Sequence, residues 1–63
     1  MFKVECYLHA KNKKGERDKA YPVLKKEILY LESFEKAIAA KKFHEDQGFN
    51  VKIYKAEGWF YIG

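Results

Sequence analysis

Sixty-three residues allow one domain, residues 1–63, with one modest core, because so short a chain buries only about 60% of the surface it exposes when unfolded. A hydrophobic content of 48% and an aromatic content of 17% exclude a disordered chain, and the single cysteine, Cys6, excludes an internal disulfide and suits a reduced, cytoplasmic setting. The net charge of +4 is concentrated: residues 10–26 hold Lys11, Lys13, Lys14, Arg17, Lys19, Lys25 and Lys26 against Glu16 and Asp18, an excess of +5, while the remainder sums to −1.

The stretch from Phe2 to Ala10 alternates, with Phe2, Val4, Cys6 and Leu8 on one side and Lys3, Glu5, Tyr7 and His9 on the other. That period of two predicts a half-buried strand. Residues 12–18 are polar and carry Gly15, so a turn or mobile loop follows, and Pro22 limits where pairing resumes. A second strand is expected at about 24–31. Its apolar residues occupy both parities, so either Leu29 and Leu31 or Ile28 and Tyr30 face inward.

Ser33 is a good N-cap, Glu35 suits the first turn and Gly48 suits the position after the last, which predicts a helix over 34–47. Phe34, Ala37, Ala40, Phe43 and His44 share the arc expected to meet a sheet. Residues 49–55 and 59–62 flank Ala56-Glu57-Gly58, a hairpin signal. A two-residue loop at Glu57-Gly58 sets Lys55 opposite Phe60, Tyr54 opposite Tyr61 and Ile53 opposite Ile62; a three-residue loop with a bulge at Gly58 shuffles them.

The layout is therefore ββαββ. A right-handed crossover through the helix, with the third strand beside the first, gives an α+β fold whose four-stranded antiparallel sheet has the order 2-1-3-4 and one helix packed on one face. Phe2, Phe34, Phe43 and Phe60 are expected on the covered side. Tyr7, Tyr54, Trp59 and Tyr61 are expected on the open side, joined by Tyr30 if Leu29 and Leu31 are core.

Such an open aromatic face has two readings. Cross-strand ring pairs stiffen a thin sheet by about 0.2–1 kcal/mol each. Alternatively the face is a binding platform, interleaved with Lys3, His9 and Lys52 and served by the basic loop carrying Lys11, Lys13, Lys14, Arg17 and Lys19. Single-stranded nucleic acid, bound with low sequence specificity by stacking and phosphate contacts, is the partner expected first. The alternative is a protein partner or a second copy of the chain, as for an inhibitor-type regulatory protein or homodimer.

Enzymatic chemistry is not expected. Cys6 and His9 project to opposite faces of a strand, His44, Glu45 and Asp46 diverge around a helix, and Lys13-Lys14-Gly15 lacks the glycines and hydroxyl of a phosphate loop. No catalytic residue, metal or cofactor is expected, and no membrane partner either, since no stretch approaches the roughly 18 apolar residues of a span.

Tyr61-Ile62-Gly63 looks like the second half of the GIY-YIG nuclease signature, but that family continues into a helix bearing catalytic residues, which does not follow here. Over residues 30–63, Ser33-Phe34, Ala37, Gly48-Phe49, Val51 and Gly58-Trp59-Phe60-Tyr61-Ile62-Gly63 are spaced in a way similar to SPOR domains, which bind glycan strands of the cell wall. That resemblance implies a helix-glycine-strand-hairpin layout and carries no site residues, because the second helix of that family is missing after the final glycine.

Overall fold

A computed structural model describes residues 1–63. Strands β1 (Phe2–His9) and β2 (Val23–Leu31) precede helix α1 (Phe34–Asp46), and β3 (Asn50–Lys55) and β4 (Phe60–Tyr61) close the chain. The sheet has the order β2-β1-β3-β4 with every pairing antiparallel, the architecture expected from the alternation and the crossover rule.

Local signals set the element ends. The Ser33 side chain accepts a bond from the Lys36 amide at 3.2 Å, which starts α1. Gly48 ends it with a φ of +93°, where a Cβ would also press the Arg17 side chain at 3.4 Å. The register of β2 is settled: Leu29 and Leu31 are half-buried against the core, and Ile28 and Tyr30 are exposed.

The last hairpin keeps the expected pairs, Tyr54 with Tyr61 and Lys55 with Phe60, and the Ile62 amide donates to the Ile53 carbonyl at 2.9 Å. Its turn differs. Residues 56–59 all lie in the turn, and β4 shrinks from the expected 59–62 to Phe60–Tyr61. Two-residue and four-residue loops close the same pairs, so alternation alone does not distinguish them.

The sealed core is small: Val4, Cys6, Ala37, Phe49, Val51 and Ile53, with Phe2, Leu8, Leu29, Leu31 and Ile38 packed around it. The expectation that Phe34, Phe43 and Phe60 are buried fails, since Phe43 is 63%, Phe60 66% and Phe34 45% exposed. The cause is width. A helix of 13 residues is about 20 Å long and 10 Å across, enough for two strands spaced about 4.8 Å apart but not for four. Helix α1 rests on β1 and β3, touches β2 less and does not contact β4, so Phe60 and Ile62 lie beyond its edge.

One polar pair lies on this covered side. His44 is buried, with Nδ1 at 2.8 Å from the Ala40 carbonyl and Nε2 at 2.8 Å from Glu27 Oε2. A backbone carbonyl only accepts, so Nδ1 donates to Ala40 and Nε2 is left facing the Glu27 carboxyl. The bond from His44, followed by that from Lys25, holds the Glu27 carboxyl below its usual range. Phe43 and Phe49 meet the ring edge-on at 5.5 and 5.3 Å. The pair joins β2 to α1 where the apolar core runs out.

Candidate functional site

Pairing registers place the outward residues of the open face in rows. Lys3 is opposite both Tyr30 and Tyr54, and Tyr54 is opposite Tyr61, so Tyr30, Lys3, Tyr54 and Tyr61 form one line across all four strands. Ile28, Glu5 and Lys52 form the next row, and Lys26, Tyr7 and Asn50 the one after.

Trp59 reaches this first row from the turn. Its backbone is left-handed, with a φ of +56°, and it follows Glu57 at +72° and Gly58 at +107°. Left-handed geometry costs a residue with a Cβ about 1–2 kcal/mol. Ring contacts offset that cost: the indole lies 5.8 Å from the Tyr30 ring, and the Lys3 ammonium sits 5.0 Å from both the Trp59 and the Tyr54 centroids. Tyr61 completes the line at 5.7 Å from Tyr54. Tyr30 is 57%, Tyr61 63% and Trp59 38% exposed, and no helix covers them.

The lysine in this line is spoken for. Lys3 pairs with Glu5 at 3.2 Å, and the Tyr7 hydroxyl donates to the other Glu5 oxygen at 2.8 Å. Burial works to raise the Glu5 carboxyl, but the bonds from Tyr7 and Lys3 outweigh it and hold the group below its usual range. Donating to Glu5 in turn raises the Tyr7 phenol. Lys3 therefore cements the aromatic row.

The remaining expected residues lie elsewhere on the molecule. Tyr7 stands four residues along β1 from Lys3, about 14 Å away, under the Lys26 ammonium at 5.6 Å. The basic connector leaves β1 beyond His9, six residues or about 20 Å along the strand from Lys3. The connector is an ordered turn. Asn12 Oδ1 accepts from the Lys14 and Glu16 amides, Lys11 bridges Arg17, and the Arg17 guanidinium donates to the His9 carbonyl at 3.0 Å.

Three ion pairs form, from Lys3 to Glu5, Lys25 to Glu27 and His44 to Glu27. None engages Lys11, Lys13, Lys14, Lys19, Lys26 or Lys52, all exposed. These six cations are free to meet anions.

Cys6 is sealed on the helix side, and burial pushes its thiol up to about 11, so it is no nucleophile. His9 is anchored on the opposite side, its Nδ1 2.8 Å from the Tyr21 carbonyl. No three His, Cys, Asp or Glu side chains gather into a metal site, and no helix is long and apolar enough to cross a membrane.

Alternation alone did not identify the Glu27–His44 pair. An inward-facing acid on β2 and a histidine in the helix's apolar arc were the available signals, hidden by the open β2 register. Compared with models of known protein families, with characterised proteins and with solved structures, the chain matches none.

Proposed function

We propose that this protein is a non-enzymatic binding module for single-stranded nucleic acid of low sequence specificity, using the open face of its sheet. The observation that carries the reading is the uncovered line of Tyr30, Trp59, Tyr54 and Tyr61 across all four strands, on a face whose far end leads to unpaired lysines. Bases stack on such rings for about 1–3 kcal/mol each whatever their identity. Lys26, Lys52, Lys19, Lys11, Lys13 and Lys14 supply phosphate contacts along the path from the rings to the connector. A strand must be long enough to reach both ends, so affinity rises with length toward a plateau within about 4–16 nucleotides.

Trp59, the sole tryptophan, is the natural reporter. Its fluorescence in titrations with oligothymidylate over a salt series should show binding whose log affinity falls with log salt at a slope of about −3, for four or five phosphates at about −0.7 each. No binding at low salt, or affinity indifferent to salt, removes the reading. A protein partner or a second copy on this face predicts a salt-tolerant complex and, for self-association, twice the monomer mass in light scattering.

A further inference from the structure

The pairing of β4 with β3 stops at Tyr54 and Lys55, so the outer edge of β3 from Asn50 to Lys52 has no strand beside it. A concavity of about 390 Å³ lies there, at the small end of the roughly 300–1,000 Å³ typical of ligand sites. It runs from the end of the aromatic row to the base of the basic connector, lined by Tyr61, Tyr7, Lys52, Asn50, His9 and Lys19. The two lysines come from different elements, and neither has an ion-pair partner. Glu45 is the one carboxylate in the lining.

The chemistry of this lining is specific in kind. Two phenol rings offer flat apolar surface, two ammonium groups offer positive charge, and the Asn50 carboxamide offers a donor and an acceptor. His9 adds one directed group, its ring held by the bond that Nδ1 donates to the Tyr21 carbonyl. A ligand that uses all of these is small, flat at one end, with ring donors, and anionic at the other. That description fits one nucleotide.

We infer that this notch is a discrete site for a single nucleoside monophosphate unit, with the base against Tyr7 or Tyr61 and the phosphate between Lys19 and Lys52. The inference rests on the single-strand reading of the open face and adds to it a fixed point. One nucleotide is held in the notch while its neighbours pass over the aromatic row, joining the rings to the basic connector.

The test is an amide chemical-shift titration with adenosine monophosphate, adenosine and inorganic phosphate in parallel. Adenosine monophosphate is expected to shift Tyr7, Asn50 and Lys52 saturably, with adenosine and phosphate each weaker by about tenfold or more. Lys19→Glu and Lys52→Glu, at exposed positions outside the core, should each weaken it about tenfold, whereas Lys36→Glu, the same charge change at an exposed position of the helix, should leave it unchanged. The same spectra verify that each variant is folded. Absent or scattered shifts overturn the site, as does a response to inorganic phosphate as strong as that to the nucleotide. If an oligonucleotide binds but the notch residues do not respond to adenosine monophosphate, the site falls and the open-face reading stands; if no oligonucleotide binds, that reading falls, and a saturable response in the notch still supports the site.

Discussion

The two faces of this sheet hold aromatic rings in opposite ways. On the helix side Phe43 and Phe60 are largely open and Phe34 nearly half so, Phe60 because the helix, which rests on β1 and β3 and more lightly on β2, does not reach β4. On the open side nothing covers Tyr30, Trp59, Tyr54 and Tyr61, yet each is held by a neighbouring ring or by the Lys3 ammonium. Exposure is thus set by the reach of the covering element, and order by lateral contacts. An uncovered row that is already ordered loses little freedom when a ligand stacks on it, which is what makes it suited to binding.

The strongest way to break this contrast is to attack the covered face. Ile53 is fully buried at the centre of a core of six residues, and Ile53→Ala should cost about 2–5 kcal/mol. A domain of this size has about 3–5 kcal/mol in total, so the variant should lose a large share of its stability, read as a fall in the denaturation midpoint by circular dichroism at 25 °C. Tyr61→Ala on the open face should stay within about 1 kcal/mol of the parent in the same denaturation experiment. Equal losses from the two changes would abolish the distinction.

Acid sharpens the comparison, because each face carries one depressed carboxyl, Glu27 beneath the helix and Glu5 among the open rings. Both lie below their ordinary value of 4.5 in the folded protein, so the unfolded chain takes up protons first as pH falls. Their stabilisation is present above that pH and is lost as pH drops through the folded values. The melting temperature should therefore decline from pH 6 toward about pH 3, and Glu27→Gln should flatten the decline. A profile unchanged by that substitution would show that the bond to His44 does not stabilise the fold.

A smaller effect is expected at the turn that delivers Trp59. Gly58 has a φ of +107°, unfavourable for any side chain, so Gly58→Ala should destabilise by about 1–2 kcal/mol and disturb the indole, read as a shift in Trp59 emission. The smallest effect concerns Cys6, whose buried thiol should resist alkylation in the native state and react only on unfolding. Rapid native labelling would show that the covered face opens more readily than its packing implies.

Strand order, the Tyr54–Tyr61 register and the Ser33 start of the helix were legible in the sequence, because alternation, crossover handedness and capping are local rules. Local rules also predicted which side Phe60 takes but not whether anything lies above it, since that depends on how many strands a helix spans. The left-handed Trp59 was illegible because two loop lengths give identical pairs. The placement of Lys3 is a matter of tertiary contact: its strand parity was evident, but its ion pair with Glu5 and its seat between two rings were not. The distance between the basic connector and the ring row followed from chain length along β1, a quantity that composition conceals.

The central claim is that the uncovered rings, and not the exposed phenylalanines on the helix side, meet the ligand. Amide and indole chemical-shift mapping with an oligothymidylate of about 15 nucleotides tests it most directly. Shifts should concentrate at Tyr30, Tyr54, Trp59 and Tyr61 and leave Phe34, Phe43 and Phe60 in place. Shifts centred on those phenylalanines, or spread evenly over both faces, would contradict it.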